Sequence, residues 1–412
     1  MRLLVVSQYF WPEIFRVNDL VAELAARGHE VTVLTGAPNY PEGEVFPEFR
    51  EHPERFASYH GARVLRVPML ARGTTRVRLA LNYASFALSG ALVGPWRLRD
   101  ATWDAIFVFQ TSPITAALPA LLLRRLEHTP VLLWVLDLWP ESLSAVGAVR
   151  DQRLLDAVGR LVSFIYRRCD LILAQSRAFV ANIERWAGST ERVRYFPGWA
   201  EAVFVDQEVA TLAPELAAFR EKFKVMFAGN IGEAQDLPAV LDAAERLRAH
   251  EQIAWLIVGD GRAAGALRAD IERRGLQERV HLLGRFPLER MPSFFAGADA
   301  LLVSLKADPI FASTIPGRVQ SYLAAGVPIL GMLDGEGARV IVEAGAGLTA
   351  RAGDGRALAD NVLALAGMSP EERAAMGARG KAFGAREFDR KVLIDRLETL
   401  VAEAVERRRT HS

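Results

Sequence analysis

Two glycine-containing turns in the second half of the sequence have the residue types that bind an anion. The segment "VMFAGNIG" places Gly229, Asn230 and Gly232 directly after a strand-like run, and a helical pattern follows. The segment "VGDG" repeats the arrangement with Gly259 and Asp260. Glycine lets backbone N–H groups approach an anion closely, and a helix start directs its positive end at the same place. A tight strand-to-helix turn also needs glycine for steric reasons, so both interpretations stay open for each turn alone.

A third segment, residues 311–330, adds side chains that a bare turn does not need. It reads "FASTIPGRVQSYLAAGVPIL". Thr314 can cap a helix or donate to a phosphate, and Pro316 is expected to set the first helical turn. Arg318 can neutralise phosphate, and Gln320 can bind the hydroxyl of a ribose or another sugar. With the two glycine turns, this pattern indicates a nucleoside diphosphate. The alternative is an ordinary capped helix with a solvated Arg318.

The first half carries carboxylates where apolar strands end. Asp137 and Glu141 lie in "LWVLDLWPES", and Glu13, Arg16 and Asn18 lie in "YFWPEIFRVNDL", the loop after the first strand. Loops at the carboxyl ends of parallel strands line the ligand crevice of doubly wound sheets. A carboxylate there suits binding a hydroxyl group or holding a developing positive charge. For Asp137, a structural role as the cap of the following helix is an equal alternative.

The elements that would position these residues alternate strand and helix throughout the chain. One series runs from "RLLVVS" to "RVRYFPG" and includes the strand-like run "AIFVFQ", and a second runs from "KVMFAGNIG" to "AGLTA". In "ARGHEVTVL", Gly28 is expected to end a helix directly before the next strand. This alternation predicts an α/β protein with two doubly wound, Rossmann-like domains that face a cleft. We expect the first domain at residues 1–202 and the second at 203–385. A last helix, about 386–412, follows them.

Composition narrows the class of protein further. The 412 residues carry a net charge of +1, so no global charge attracts nucleic acid. The single cysteine, Cys169, excludes an internal disulfide and a cysteine-based zinc site, which favours a reducing compartment such as the cytoplasm. Residues 55–99 contain eight arginines and no Asp, Glu or Lys. Within this arginine-rich segment, the uncharged run 79–96 predicts a buried helix or a helix at a membrane surface rather than a membrane span, and peripheral attachment is the interpretation we adopt.

The order of several motifs resembles glycosyltransferase family four, a family of the two-domain GT-B type. The second half contributes "GNIG", "GDG", "GRFP", "MPSFFAGADALLVSL" and "IPGRVQSYLAAGVPI", and the first half contributes "GHEVTVLTG" and "LWVLDLWPES". The likeness covers nearly the whole chain. It is strongest for bacterial O-antigen and capsule transferases, including the L-fucosamine transferase-like group, which share "QYFWPE" and "DLWPES". The resemblance implies that the second domain binds the nucleotide sugar and that the last helix packs on the first domain.

Two positions depart from the family in a way that affects the sugar and ribose contacts. Many members carry two glutamates eight positions apart, and this chain has Ser313 and Ser321 there. The donor-sugar and ribose contacts of this chain therefore cannot be carboxylates. Gln320 and Ser321 are the substitutes that the sequence offers.

The contacts to the diphosphate depart from the family as well. The arginine and lysine that follow the first glycine turn in the family are Asn230 and Gln235 here. Diphosphate charge must then be met by Arg318, Arg285 and helix N-termini, with Lys306 as a further candidate. The sequence has no Asp-x-Asp and no His/Cys cluster with metal-ligand spacing, so we expect no metal or other cofactor.

These observations together predict a glycosyltransferase at the cytoplasmic face of the inner membrane. It would move a sugar from a nucleotide diphosphate, with UDP as the expected carrier, to a lipid-linked saccharide in surface polysaccharide synthesis. The family implies retention of configuration. We expect Asp137, Glu141 and Glu13 to be catalytic, and Arg16 and Asn18 to bind the acceptor. Two alternatives stay open: a nucleotide-sugar 2-epimerase, and a non-catalytic subunit that binds sugar nucleotides.

Overall fold

The structure is a computed structural model, and it describes residues 1–73, 75–145, 149, 151–205 and 211–410. Contacts divide the chain into two compact units. The first consists of Met1–Phe196 with Leu393–Ser412, and the second of Pro197–Val392. The chain therefore changes unit near residue 196, where we expected 202, and near 392, where we expected 385. The first difference arises because the segment after the last strand of the first sheet packs on a helix of the second unit.

The first unit is built on an eight-stranded sheet with the order β3-β4-β2-β1-β5-β6-β7-β8. All neighbours pair in parallel except β3 and β4. The strands are β1 (Arg2–Val6), β2 (Glu30–Thr35), β3 (Ser58–Tyr59), β4 (Ala62–Arg66), β5 (Ala105–Gln110), β6 (Val131–Val135), β7 (Leu171–Ala174) and β8 (Val193–Tyr195). The helices are α1 (Arg16–Ala26), α2 (Pro47–Glu51), α3 (Arg76–Leu92), α4 (Gly94–Leu98), α5 (Leu118–Glu127), α6 (Glu141–Ala145), α7 (Gln152–Tyr166) and α8 (Arg177–Ala187).

The second unit is built on a six-stranded sheet, entirely parallel, with the order β11-β10-β9-β12-β13-β14. Its strands are β9 (Phe223–Ala228), β10 (Ile253–Val258), β11 (Val280–Gly284), β12 (Ala300–Ser304), β13 (Ile329–Met332) and β14 (Gly347–Ala350). Its helices are α9 (Ala202–Val205), α10 (Leu237–Arg246), α11 (Ala264–Arg273), α12 (Met291–Phe295), α13 (Pro309–Ser313), α14 (Gly317–Ala325), α15 (Glu336–Glu343), α16 (Gly355–Ala366) and α17 (Pro370–Glu387). The predicted α/β class with two doubly wound sheets is confirmed.

The central strand of the second sheet shows why these runs form buried parallel strands. Along β9, Val225 and Phe227 join a core on one face of the sheet, and Met226 and Ala228 join a core on the other. Successive side chains of a strand point to opposite faces, so a strand covered on both sides reads as one continuous apolar run. The loops at the carboxyl end of this sheet therefore carry the polar residues.

The joint between α1 and β2 follows the sequence prediction. Gly28 has φ +82° and donates its N–H to the carbonyl of Ala25, and His29 donates to Leu24. This pattern ends a helix with a left-handed residue, a conformation that glycine adopts at little cost. The prediction that Gly28 ends the helix is confirmed.

The arginine-rich segment forms two helices where we expected one over residues 79–96. Thr75 caps α3, because its hydroxyl accepts the N–H of Arg78 at 3.2 Å. The helix ends at Leu92, and α4 follows with Pro95 in its first turn. Proline has no N–H to donate, which favours a new helix start over a continuous helix. Among the described residues, no helix combines the length and apolar character needed to cross a bilayer.

The last helix is α18 (Arg390–Thr410), and its residues from Leu393 belong to the first unit. It starts four residues later than the expected 386, because Arg386 and Glu387 still belong to α17. Glu398 of α18 binds His29 at 2.7 Å, and Glu403 pairs with Arg194.

Candidate functional site

In the second unit, Arg318 lies against the first glycine turn. Its Nε donates to the carbonyl of Ala228 at 2.8 Å, and its Nη2 donates to the carbonyl of Asn230 at 3.1 Å. The guanidinium also lies over the ring of Phe227, 4.5 Å from the centroid. Burial lowers the pKa of Arg318. A guanidinium has five N–H donors, and these two bonds fix its plane at the carboxyl end of β9.

Gly229 is required at this turn on two grounds. Its φ is +129°, a region that residues with a side chain rarely adopt. A Cβ atom at Gly229 would lie 2.6 Å from Nη2 of Arg318. The turn and the arginine therefore fit only because this residue is glycine.

Tyr322 lies one turn after Arg318 on α14 and also contacts the end of β9. The sequence analysis missed this residue. Its hydroxyl accepts the N–H of Ala228 at 3.2 Å and lies 3.4 Å from the carbonyl of that residue. The side chain is 1 % exposed. The spacing of four residues on one helix, Arg318 to Tyr322, was a signal that such a pair would face one strand end. Both side chains thus tie α14 to the end of β9.

The second glycine turn packs backbone to backbone on the first. A Cβ atom at Gly259 would lie 1.9 Å from the carbonyl oxygen of Gly229, and its φ is +145°. Its N–H donates to the carbonyl of Gly284 at 2.8 Å. Asp260 is exposed, and its carboxylate accepts the N–H of Gly261 at 2.7 Å. The "VGDG" turn therefore supports the first turn, and the donor contacts expected of Gly259 and Asp260 stay predictions.

Gln235, predicted to bind the donor, holds the first turn closed. Its Oε1 accepts the N–H of Gly232 at 3.0 Å, and its carbonyl accepts the hydroxyl of Ser304 at 2.6 Å. The N–H of Gly232 is thus occupied by a side chain of its own loop. In this conformation both residues keep the loop in shape, and the ligand contacts that we expected of them stay predictions.

Three polar side chains near this edge are exposed: Asn230, Arg285 and Lys306. Arg285 directly follows β11. Lys306 lies two residues after β12, and its backbone N–H donates to the carbonyl of Ala234 in the first glycine turn at 2.9 Å. Lys306 is therefore attached to the turn on which Arg318 lies. The predictions for these three residues stay predictions.

The start of the 311–330 segment differs from the expectation. Ser313 ends the short helix α13, and its hydroxyl donates to the carbonyl of Pro309 at 2.8 Å. The hydroxyl of Thr314 donates to the carbonyl of Ile310 at 2.9 Å. Thr314 therefore does not cap α14, whose N-cap residue is Pro316. Pro316 lies one position before the first turn that we expected it to occupy.

Gln320 and Ser321 point away from solvent. Gln320 is 2 % exposed, and its amide donates to the carbonyl of Gly198 at 2.9 Å. Ser321 is 6 % exposed, and its hydroxyl donates to Oε2 of Glu201 at 2.6 Å. Both side chains thus join α14 to the segment after β8. The expected contact of Gln320 with a ribose or another sugar stays a prediction, and the same helix also contacts Glu201, which the sequence analysis missed.

In the first unit, Asp137 follows β6 and lies in a hydrogen-bonded cluster. Its carboxylate accepts the hydroxyl of Ser142 and, at 3.3 Å, the indole N–H of Trp139. The same indole N–H lies 3.1 Å from the hydroxyl of Ser112. Burial raises the pKa of Asp137, and the hydrogen bonds from Ser142, Ser112 and Trp139 offset part of this rise. All of these bonds come from side chains.

Glu141 begins α6 and contacts a neighbouring helix. Its Oε1 accepts the indole N–H of Trp186 at 3.1 Å. It lines a surface pocket of about 170 Å³ together with Asp156 and Arg185. Asp137 is absent from that lining, so Glu141 and Asp137 face different surroundings.

Glu13 holds two loops together in this conformation, and its expected catalytic role stays a prediction. It is 2 % exposed, and it accepts backbone N–H groups of Phe10 at 3.0 Å, Asn39 at 2.8 Å and Tyr40 at 2.7 Å. Burial raises its pKa to about 7, against the lowering effect of these three bonds and of Arg66. The carboxylate therefore ties the loop after β1 to the loop after β2.

The expected acceptor residues differ in exposure. Asn18 is 8 % exposed, donates to the carbonyl of Glu13 at 2.7 Å and accepts the N–H of Trp11 at 3.2 Å. It braces the same loop, and its expected role in acceptor binding stays a prediction. Arg16 is half-buried at the start of α1.

Aromatic side chains that the sequence analysis did not single out surround Asp137 and the end of β1. Arg72 lies over the ring of Tyr40 at 5.2 Å and lies 3.5 Å from the hydroxyl of Tyr9. Tyr83 of α3 packs against Trp139 with ring centroids 6.3 Å apart. Burial raises the pKa of Tyr83. This edge of the first sheet can thus bind a sugar through aromatic faces and a carboxylate.

Within the part of the chain that the structure describes, no group of three or more His, Cys, Asp or Glu is arranged to hold a metal ion.

Comparison with protein families gives two matches that follow each other along the chain. Residues 15–199 match the model described as "Glycosyl transferase 4-like domain". Residues 222–367 match the model described as "Glycosyl transferases group 1". WcaI of Escherichia coli strain K12, provisionally assigned as a glycosyl transferase of colanic acid biosynthesis, is 27 % identical over 346 residues. The match covers 79 % of this chain and 82 % of WcaI.

Solved structures show the same fold at low identity. HepE of Anabaena, crystallised in complex with UDP, has a TM-score of 0.72 at 14 % identity, covering 98 % of this chain and 100 % of HepE. Sucrose-phosphate synthase of Thermosynechococcus elongatus has a TM-score of 0.69 at 15 % identity, covering 98 % of both chains. WaaG, described as a glycosyltransferase of lipopolysaccharide biosynthesis, has a TM-score of 0.63 at 16 % identity, covering 97 % of this chain and 99 % of WaaG.

Proposed function

We propose, from the premise that this chain belongs to the family-four glycosyltransferases of GT-B fold, that it uses a UDP-linked sugar and a lipid-linked saccharide acceptor in surface polysaccharide synthesis. The observation that carries the donor half is the guanidinium of Arg318 held beside Gly229 at the start of α14. The polysaccharide context is supported by the likeness to WcaI and WaaG. Membership of the L-fucosamine transferase-like group rests on the motifs alone and is part of this proposal.

The donor site suits the charge of a diphosphate. Arg318 is fixed in its plane by two backbone carbonyls, which leaves further N–H donors of the same group for phosphate oxygens. The N-terminus of α14, at Gly317, adds the partial positive charge of a helix start. Arg285 and Lys306 are exposed at the ends of neighbouring strands. These groups replace the arginine and lysine that the family carries where this chain has Asn230 and Gln235.

UDP is the proposed nucleotide because several structures of this fold were solved with uridine ligands. HepE was crystallised with UDP, with UDP and glucose, and with UDP-glucose. The donor sugar of this chain is not implied by those ligands.

Asp137 is the proposed acceptor-binding or catalytic carboxylate. It follows an apolar strand and its carboxylate is oriented by three neighbouring side chains, which supports a role that needs fixed geometry. The family implies retention of configuration, and we adopt that outcome in the proposal. We also propose transfer without a metal ion, with the positive groups of the second unit stabilising the leaving diphosphate.

An exposed apolar stripe on α3 and α4 supports a lipid-linked acceptor. The spacing of its members places those of α3 on one helical face. The stripe consists of Val77, Leu81, Leu88, Leu92 and Trp96, which are 70, 50, 63, 75 and 63 % exposed.

Exposed arginines flank this stripe: Arg78, Arg97 and Arg99. The surrounding residues 55–99 contain no acidic side chain, so the surface is complementary to anionic lipid headgroups. Two other arginines of this segment face inward, because Arg66 donates to the carbonyls of Gly36 and Trp11, and Arg72 lies over Tyr40. The lipid-facing charge is thus smaller than the sequence alone indicated.

The opposite face of α3 connects the stripe to the acceptor region. Asn82 is fully buried and accepts the amide N–H of Gln8, at the end of β1, at 2.7 Å. Tyr83 contacts Trp139 beside Asp137. A lipid-linked saccharide could therefore place its lipid at the stripe and its sugar at Asp137. We propose that the protein acts at the cytoplasmic face of the inner membrane as a peripheral protein.

The experiment that tests the donor half is isothermal titration of UDP into wild type, Arg318→Ala and the control Arg268→Ala. Arg268 is an exposed arginine of α11. We expect Arg318→Ala to weaken UDP binding about tenfold or more, since one charge-assisted contact contributes about 1.5–3 kcal/mol, and Arg268→Ala to match wild type. Equal UDP affinity of all three proteins would refute the role of Arg318, and absence of UDP binding to wild type would refute the UDP assignment.

A further inference from the structure

We infer that Glu201 supplies the carboxylate that binds the ribose hydroxyls of the donor, and that Ser321 positions it. The inference rests on the proposed function and deepens it. It starts from the contact between the hydroxyl of Ser321 and Oε2 of Glu201, 2.6 Å long. Ser321 occupies the second of the two positions where many family members carry a glutamate.

The contact with Glu201 determines where the hydroxyl of Ser321 donates its proton. The hydroxyl also lies 3.1 Å from the carbonyl of Gly317, but it has one proton to donate. The carboxylate oxygen of Glu201 lies closer to the hydroxyl and is the stronger acceptor, so the hydroxyl donates to Glu201. Ser321 is 6 % exposed, so it presents no donor to a ligand. It holds the carboxylate of Glu201 beside the second turn of α14.

The segment that carries Glu201 is anchored to the second unit on both sides. Before it, the carbonyl of Gly198 accepts the amide of Gln320 at 2.9 Å. After it, the ring of Phe204 stacks on Phe295 with centroids 5.1 Å apart and 11° between the planes. Phe204 also donates its N–H to the carbonyl of Glu201 at 3.0 Å. The position of the carboxylate is therefore defined by packing as well as by Ser321.

The chemistry of this position suits hydroxyl groups. Glu201 is partly exposed, in contrast to Ser321 and Gln320, so its carboxylate can reach a ligand. A carboxylate accepts hydrogen bonds through two oxygens, and a vicinal diol donates two. A carboxylate would repel a phosphate. The carboxylate of Glu201, beside the phosphate site, must therefore contact the uncharged part of the nucleotide.

The distance along α14 agrees with this assignment. Ser321 lies one turn beyond Gly317 and Arg318, where the proposed diphosphate sits. One turn of helix rises about 5.4 Å, which is comparable to the separation between the phosphate of a nucleotide and the hydroxyls of its own ribose. A nucleotide with its phosphate at the start of α14 can thus place its diol at Glu201.

The test is a titration in which a substitution removes one carboxylate from the protein and a deoxy analogue removes one hydroxyl from the ligand. UDP, 2′-deoxy-UDP, 3′-deoxy-UDP and inorganic pyrophosphate are titrated into wild type, Glu201→Ala and the control Glu221→Ala, which removes an exposed carboxylate of the same unit. We expect Glu201→Ala to weaken UDP binding about tenfold, to weaken binding of each deoxy ligand by less because only one hydroxyl contact remains to be lost, and to leave pyrophosphate binding unchanged. Glu221→Ala should match wild type for every ligand.

Two further variants test how the carboxylate is held. Ser321→Ala should retain part of the preference for UDP over the deoxy ligands, because it removes only the positioning bond. The exchange Glu201→Ser/Ser321→Glu should restore UDP binding relative to Glu201→Ser, because it moves the carboxylate onto α14. If Glu201→Ala discriminates between ribose and deoxyribose as strongly as wild type, the inference is overturned although the UDP site stands. If wild type binds no UDP, the proposed function fails first.

Discussion

Gly229→Ala tests the contact between the first glycine turn and Arg318. The new Cβ atom would lie 2.6 Å from Nη2 and 2.8 Å from Nε of Arg318, so the guanidinium must leave its place. It would then lose its bonds to the carbonyls of Ala228 and Asn230. We therefore expect Gly229→Ala to weaken UDP binding as much as Arg318→Ala does. The double variant should bind no more weakly than either single variant, because both changes remove the same group.

The cost in stability has two parts. A residue with a side chain at φ +129° costs about 1–3 kcal/mol, and displacing the charged hydrogen bonds of Arg318 adds about 1.5–3 kcal/mol. For a unit of this size, 1 kcal/mol shifts Tm by roughly 2–4 °C, so the sum predicts a decrease of about 10 °C. In an Arg318→Ala background only the backbone part remains, and Gly229→Ala should lower Tm by about half as much.

The assay combines isothermal titration of UDP with differential scanning calorimetry of the transition that UDP shifts. The control is Gly265→Ala, because a Cβ atom at Gly265 has open space and the residue lies in α11. Alanine is favoured over glycine in a helix, so Tm should stay equal or rise slightly. If Gly229→Ala had the same Tm and the same UDP affinity as wild type, the argument that this turn positions Arg318 would be refuted.

Four further outcomes are expected. Asp137→Asn should lower the transfer rate by about 10²-fold or more at unchanged UDP affinity, and full activity of the variant would contradict the role of Asp137. Because burial raises the pKa of Asp137, wild-type activity should decline on the acid side at a higher pH than it would with a solvated aspartate. Glu13 has a pKa raised from 4.5 to about 7, so the folded protein keeps a proton that the unfolded chain releases, and unfolding free energy should fall by up to about 3 kcal/mol as pH rises over that range. Glu13→Gln should abolish this slope in calorimetry from pH 4.5 to 8, and a persisting slope would assign it to other groups. Leu88→Asp/Leu92→Asp should reduce sedimentation of the protein with vesicles of phosphatidylglycerol and phosphatidylcholine at least tenfold while UDP affinity is kept. Unchanged sedimentation would refute the role of the exposed apolar stripe in membrane binding. EDTA should leave transfer unchanged, and loss of activity that Mg²⁺ restores would refute transfer without a metal.

The architecture could be predicted because apolar runs and glycine joints are local signals. Strand β5 lies at the predicted residues, and α1 ends at the predicted glycine. The sequence analysis missed the short strand β3 and the helix α2, since runs of two and five residues carry little periodicity. The division of residues 79–96 into two helices was missed because the run carries no charge that would mark a break, and Pro95 was the available signal.

The sequence indicated that residues of the candidate donor site lie close together, but it indicated less about the contacts of each side chain. Arg318 and Gly229 meet where the turn and the helix start predicted a phosphate site. Gln235 and Asn18 were predicted to bind ligands, yet both satisfy backbone groups of their own loops. An amide suits either task, and the choice depends on which backbone N–H or carbonyl lies within about 3 Å in the folded chain. Sequence spacing does not contain that distance.

Glu201 shows how a departure from a family pattern can carry structural information. The serine at position 321 removed a carboxylate from α14, and the sequence alone suggested that no carboxylate would replace it. The folded chain instead places a carboxylate from another element against that serine. A shorter side chain with a hydroxyl donor leaves the space and supplies the hydrogen bond that such a replacement requires. The loss of a functional group at one position therefore predicts where its substitute must bind, although 120 residues of sequence separate the two.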